Sequence, residues 1–386
     1  MKHESILSHF FSKSVMAACV FGALSAGCAR SVSDSEEGGL VAVSTTEFAP
    51  AEEFVSDYEY VILETSDSCI LSGQTMFHTS DRYIVAYSEK GGFDVFNREG
   101  KHLNHFSNYG MGPGEAIKVI DFYISGDEMV CVPLIQHNLL VYNVLSGEFL
   151  REIPLPDSYF YASPFSNGLI ALSPLYSNNS HWNINIYDPK TKFVVNQYLP
   201  YQQESSLIIG GFNVFAGTGE GYVYGVLPFD YTLYRITADT CRAMVRYKFN
   251  TPEQIEAFDP ETVDIADLSD RYRYSRLVKW LGKYCETESG AHYQQFDLLC
   301  EYGVLPFLCK FDGKSSKSET LRIGAEIIDR FPFLMVKPFE MKDGYYISAM
   351  EAMAVLNIEE SIKSDTFAKL GLTEDSNPVI FFHKLK

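Results

Sequence analysis

The sequence predicts an all-β fold, a six-bladed β-propeller with a small helical insertion, sealed by its N- and C-terminal strands. Three observations carry this expectation. Short apolar strands recur about every 40–50 residues, the length a multi-stranded blade requires. Tyr and Phe number 25 and 28 of 386 residues, and aromatic side chains favour strands. Apolar segments near both chain ends, 58–64 and 379–385, lack partners unless they share a sheet, with 345–349 as the third member.

Each repeat reads as a short apolar strand, a second strand ending in an aromatic, and a third strand. Arg82–Ala86 leads to Phe93–Phe96 and then Lys101–Leu103, and Glu128–Val132 leads to Leu139–Tyr142 and Glu148–Leu150. The turn after the second strand repeats as VFNREGKHL, VYNVLSGEFL and IYDPKTKFV, with the Asx, Gly and Pro that hairpins need. Units start at residues 82, 128, 168, 221, 298 and 344, which gives six. A sandwich with evenly spaced hairpins is the competing arrangement.

The step from 221 to 298 is long enough to hold an insertion. Thr251-Pro252-Glu253-Gln254 has the residues of a helix start, with Thr as cap and Pro at the first position. Leu277, Trp280, Leu281 and Tyr284 fall at i, i+3, i+4 and i+7, so one or two helices are expected between 252 and 286. Residues 349–356 and 362–370 also read as helical.

Residues 1–27 read as a signal peptide. Lys2 and Lys13 precede an apolar run from Val15 to Ala26, too short to span a bilayer as a mature helix. It ends in Leu24-Ser25-Ala26-Gly27-Cys28, which resembles a bacterial lipobox, although Ser25 stands where an aliphatic residue is usual. The resemblance implies lipidation at Cys28. Residues 28–51 then form a flexible acidic tether, and 52–386 a single propeller domain. Anchoring through lipid alone makes the protein an outer-membrane lipoprotein, facing the periplasm or the cell surface.

The formal net charge is −19, and about −20 once residues 1–27 are removed. An acidic surface of this size argues against nucleic acid as a partner. The chain contains no nucleophile elbow, P-loop, dinucleotide fingerprint or H-E-x-x-H motif. No cofactor and no catalytic residue is therefore assigned. His102 and His105 lie three apart on an expected strand, where alternation points them to opposite faces, so no metal site is assigned to them. Cys69, Cys131, Cys241, Cys285, Cys300 and Cys309 read as buried thiols, with Cys300 and Cys309 the pair that could bridge a hairpin.

Between the first two repeats lies Gly110-Met111-Gly112-Pro113-Gly114-Glu115, a tight turn set by Gly and Pro. Its structural reading is an inter-blade crossing with Glu115 bonding free N–H groups. Its functional reading is a ligand-facing nest around Gly110, Gly112, Pro113, Gly114 and Glu115. Tyr159, Tyr161, Tyr176 and Trp182 fall between repeats, where aromatics stack on glycans or pack between blades.

Three segments together resemble the six-bladed β-propeller lipoproteins of Bacteroidota, related to NHL- and TolB-like propellers. They are Tyr60-Val61-Ile62-Leu63-Glu64-Thr65, the turn 110–115 followed by Asp121-Phe122, and Glu374-Asp375-Ser376-Asn377-Pro378-Val379 through Lys386. The resemblance covers about residues 53–386 and implies a fold and an envelope location, with no catalytic residues to carry over. The first functional expectation is a non-enzymatic binding or scaffolding module for an envelope protein partner, small ligand or glycan. The alternative is a glycan lyase or hydrolase whose polar groups converge on the propeller axis.

Overall fold

A computed structural model describes residues 38–71, 75–89, 91–175, 181–201, 213–228, 230–251, 277–300, 303–324 and 330–386. The described chain opens with β1 (Gly39–Val43), a 3-10 turn at Ala51–Glu53 and β2 (Val55–Ile62). Blade 1 is β3 (Thr75–Thr79), β4 (Tyr83–Ser88), β5 (Gly92–Asn97) and β6 (His102–Phe106). Blade 2 is β7 (Val119–Ser125), β8 (Glu128–Pro133), β9 (Asn138–Asn143) and β10 (Phe149–Pro154). Blade 3 is β11 (Tyr161–Pro164), β12 (Ile170–Ser173), β13 (Trp182–Asp188) and β14 (Phe193–Pro200). Blade 4 is β15 (Phe215–Gly219), β16 (Tyr222–Gly225), β17 (Thr232–Ile236) and β18 (Cys241–Phe249). Blade 5 is β19 (Leu277–Glu286), β20 (His292–Cys300), β21 (Gly303–Phe311) and β22 (Glu319–Arg322). Blade 6 takes β23 (Glu340–Lys342), β24 (Tyr345–Met350) and, after two short helices, β25 (Val379–Leu385).

Six blades stand in a ring, and the expected closure is present. The order β23-β24-β25-β2 makes the N-terminal β2 the outermost strand of the last blade. It pairs antiparallel with β25 from Val55 opposite Leu385 to Ile62 opposite Val379. β2 and the C-terminal β25 are thereby tied into one sheet, which closes the ring and gives β25 a partner on both sides. Apolar side chains fill the spaces between adjacent blades. Val85, Phe93 and Phe122 pack between blades 1 and 2, Val141, Ile153 and Leu172 between 2 and 3, and Ile84, Phe96 and Ile380 between 6 and 1.

The helices α1 (Ala352–Ser361) and α2 (Thr366–Lys369) cover the outer end of blade 6. Glu359, buried on α1, accepts hydrogen bonds from the backbone N–H of Phe367 at 2.9 Å and Ala368 at 3.1 Å. That satisfies donors the short α2 would otherwise leave open. The helices start and stop a few residues from the expected spans, because β24 runs through Met350 and Ile362 caps α1.

Three expectations are corrected. The helical spacing at Leu277, Trp280, Leu281 and Tyr284 belongs to strand β19. Its register with β20 slips between Val278 and Trp280 and again between Leu281 and Tyr284. Two slips break the period of 2, so the buried Trp280, Leu281 and Tyr284 fall at a helix-like spacing. The expected helix start at 251–254 lies almost wholly outside the described residues. The tether expected over 28–51 is ordered from residue 39: β1 adds a parallel fifth strand to blade 4 beside β18, with Val41 and Val43 buried. Thr45 N–H then donates to Asn250 Oδ1 at 2.7 Å. Finally, the β20–β21 register sets Cys300 opposite Gly303 and Cys309 opposite Gln294. The two cysteines are about six residues apart along the hairpin, roughly 20 Å at ~3.3 Å per residue, and cannot bridge. Cys69, Cys131, Cys241, Cys285 and Cys309 are all buried free thiols.

Candidate functional site

Ionisable groups converge on the propeller axis. Each blade presents its first strand there, and the inner strands of neighbouring blades pack side by side. Two cavities open along this axis. One, of about 180 Å³, is bounded by the C-terminal ends of inner strands, including Thr79, Ile124, Pro164, Thr218 and Lys342. The other, of about 440 Å³, is bounded by residues at the opposite ends, including Thr75, Ile120, Tyr161 and Phe339. His78, Asp121, Asn213 and Lys283 line both, so they form a belt between the two openings.

His78 on β3 lies between two carboxylates from different blades. Its Nδ1 is 3.1 Å from Glu340 Oε1 on β23, and its Nε2 is 3.8 Å from Asp121 Oδ1 on β7. Glu340 also accepts from the Thr79 hydroxyl at 2.6 Å and the Thr79 N–H at 3.1 Å, and Lys342 Nζ lies 3.5 Å away. Lys342 in turn donates to the Thr79 carbonyl. These contacts stitch β3 to β23, the seam between the first and last blades.

The belt is electrically tuned. Burial on its own would raise the Glu340 carboxyl, but the His78 hydrogen bond, Lys342 and Thr79 outweigh it and hold the group at about 2. Asp121 shifts upward through burial, opposed by His78 and Lys283. Lys283, from β19, shifts downward through burial, opposed by Asp121 and Glu340. Asn213 Nδ2 sits 3.4 Å from Asp121 Oδ2. Nδ1 faces the Glu340 carboxylate and donates to it, and Nε2 on the other side of the ring is aimed at Asp121. The Nε2–Asp121 gap is too long for a direct hydrogen bond and suits one bridging hydroxyl.

None of these residues stood out in the sequence. The repeat as read from sequence comprised the second, third and fourth strands of each blade, and it missed the inner strand. His78 and Asp121 sit in TMFHT and VIDFYIS, segments that show no repeat of their own. The available signal was a charged or histidine residue in the segment just ahead of four of the six repeats, His78, Asp121, Lys283 and Glu340.

Of the described residues singled out by sequence, Tyr161 reaches the axis and the others lie elsewhere. The turn 110–115 joins β6 to β7. Glu115 Oε2 accepts the Gly112 N–H at 2.8 Å, and the Gly114 carbonyl accepts from Tyr142 Oη at 2.5 Å. Gly110 N–H donates to Ala116 O at 3.3 Å, and exposed Pro113 completes the bend. Gly114 has φ +73°, and a Cβ there would meet the Phe149 ring at 2.5 Å, so glycine is required. Tyr159 is buried between blades 2 and 3, while Tyr161 begins β11 and lines the larger axial cavity. Trp182 begins β13. Tyr176 and Cys28 lie outside the described residues.

His102 and His105 do share a face, contrary to the alternation argument. The β5–β6 register slips between Val95 and Phe96, which bulges Leu103 out of the pairing. Both imidazoles consequently reach Asp94 Oδ1, at 3.1 Å from His102 Nε2 and 3.0 Å from His105 Nδ1.

The architecture defines a six-bladed propeller with a polar axial belt, closed by its own termini. The chain belongs to the family described as a domain of unknown function (DUF4934), whose model matches residues 41–384. No curated protein matches it. Among solved structures, a predicted exported protein of Bacteroides fragilis NCTC 9343 is similar at 16% identity and a TM-score of 0.65. That match covers 90% of this chain and 99% of the other. A protein of unknown function from Bacteroides caccae matches at 11% identity and a TM-score of 0.37, over 65% of this chain and 83% of the other. The first of these likenesses is one of fold, and the second is too low to carry an argument.

Proposed function

We propose that this protein is a lipid-anchored binding propeller of the bacterial envelope that takes a small, neutral, hydroxyl-rich ligand, such as a saccharide, at its axis. The observation that carries the reading is the Glu340–His78–Asp121 arrangement. It sets an imidazole nitrogen and a carboxylate 3.8 Å apart in a cavity, where one hydroxyl can lie within hydrogen-bond reach of both. Two carboxylates are matched there by Lys283 and Lys342, so the belt carries little net charge and favours neither strong anions nor strong cations. The signal-peptide pattern supports export, and the exported description of the Bacteroides fragilis relative agrees with it.

A second reading has its own support. A carboxylate-oriented imidazole facing a second carboxylate of raised pKa is an acid–base pair, as a glycan-processing enzyme would need. One experiment separates the two. The wild-type chain, His78→Gln and Asp121→Asn are titrated calorimetrically against a panel of oligosaccharides, and each mixture is then examined by mass spectrometry. Binding that both variants lose, with the saccharide intact, supports a binding module. New products made only by the wild type support the enzyme. Absence of binding across the panel, or binding that both variants retain, removes the axial reading. Metabolic labelling with a fatty-acid analogue, lost in Cys28→Ser, tests the anchor.

A further inference from the structure

We propose a divalent transition-metal site, best suited to zinc, at the seam between blades 1 and 6, with Cys69, Asp94 and His102 as ligands. Cys69 Sγ, an Asp94 carboxylate oxygen and a His102 ring nitrogen all lie within 4.8 Å of one another. Cys69 and Asp94 are buried, and His102 keeps 15% of its side chain exposed. Thiolate, imidazole and carboxylate form a donor set that zinc accepts at about 2.0–2.3 Å, which implies donor separations of roughly 3.3–3.8 Å in a tetrahedron. The 3.1 Å between His102 Nε2 and Asp94 Oδ1 needs only a slight opening to admit the ion. Three protein ligands and a partly exposed histidine leave a fourth position for water or a ligand.

Two features of the chain serve these ligands. The bulge at Leu103 turns His102 and His105 onto the face of Asp94, where an unbroken strand would separate them. His105 Nδ1 then donates to Asp94 at 3.0 Å and orients the carboxylate from behind. Cys69 is held from the other side. Its backbone exchanges hydrogen bonds with Ser66, N–H to carbonyl in both directions, at 2.9 and 3.2 Å. The Asn377 amide clamps the same loop. It donates to Glu64 O at 2.7 Å and Cys69 O at 3.0 Å, accepts from Leu71 N–H at 2.7 Å, and reaches Cys69 Sγ at 3.6 Å. The C-terminal Asn-Pro segment thus fixes the loop that offers the thiol. On binding, the thiol proton passes to solvent, the proton on His102 Nε2 is exchanged through solvent onto Nδ1, and the zinc–sulfur and zinc–nitrogen bonds form without any redox change.

The test uses the untagged mature chain, stripped with chelator and titrated with Zn²⁺ alone and Co²⁺ alone. One equivalent of zinc per chain is expected, together with a cobalt–thiolate charge-transfer band. Cys69→Ser should abolish the band, and His102→Gln and Asp94→Asn should weaken binding at least tenfold. His105→Gln, which acts through Asp94, should weaken it by about 10–100-fold. Cys131→Ser, a buried thiol in another blade, should leave binding unchanged. Circular dichroism verifies that each variant is folded, and His102→Gln serves if Cys69→Ser does not fold. The proposal is overturned if folded wild type shows no thiolate band, or if the band survives both Cys69→Ser and His102→Gln.

Discussion

Replacing His383 by leucine, a side chain of similar volume, should remove a specific acid sensitivity. His383 is fully buried on β25, opposite Tyr58 on β2 and Tyr346 on β24, with Phe381 beside it. Among the described residues neither ring nitrogen has a hydrogen-bond partner of normal geometry. Burial pulls the group down to about 3, and the nearby Tyr346 backbone offsets this only slightly. An unfolded histidine titrates near 6.5. Between those values the unfolded chain takes up a proton that the folded chain refuses. The contribution to stability is therefore full above pH 6.5 and is lost as pH falls toward 3. At pH 5 the loss is about 2 kcal/mol, and over the whole window about 5 kcal/mol, at ~1.36 kcal/mol per unit. For a domain of this size 2 kcal/mol corresponds to about 3 °C in Tm. Urea denaturation at pH 7.5 and pH 5.0 measures it. Wild type should lose about 2 kcal/mol more than His383→Leu. Parallel losses in the two proteins would refute the reasoning.

Two further outcomes follow from the geometry. Glu340→Gln should cost about 3 kcal/mol at neutral pH, because the carboxyl titrates at about 2 when folded against 4.5 unfolded. That difference is present above pH 4.5 and should shrink as pH falls toward 2, so a gap between the urea midpoints that does not vary with pH contradicts it. Gly114→Ala forces alanine into φ +73° and against the Phe149 ring, and should cost on the order of 1–3 kcal/mol. A change below ~0.5 kcal/mol in the same assay shows that the turn relaxes freely.

The six-fold repeat, the terminal closure and the core positions of the middle strands were legible in the sequence because these strands obey a simple rule. The pairs β4–β5, β8–β9, β12–β13, β16–β17, β20–β21 and β24–β25 all run without a register slip. Their apolar runs, such as Tyr83–Ser88 and Met129–Val132, are buried on both faces by neighbouring blades and read as continuous hydrophobic stretches. The axial belt was not legible. It is assembled from single residues on β3, β7, β19 and β23, brought together only when the ring closes between the first and last blades.

The slips have a pattern that explains both failures of alternation. Among the described residues every register irregularity involves the first or the fourth strand of a blade, which are sheet edges except at β18, flanked by β1. On inner strands they fall between Val119 and Asp121, between Phe215 and Gly217, and twice in β19. On outer strands they include β6, β10, β14, β18 and β2. Edge strands bear one ladder of hydrogen bonds instead of two, so an extra residue disturbs less pairing there, and the added twist helps the sheet curve around the axis. A bulge also re-aims the side chains beyond it. Asp121 follows the slip in β7, Lys283 lies within the second slip in β19, and His102 borders the slip in β6. Three of these groups therefore sit where a period of 2 fails, while His78 on β3 and Glu340 on β23 sit on strands that pair without a slip. The same bulges that place Asp121, Lys283 and His102 disguise β19 as a helix and His102 and His105 as opposed.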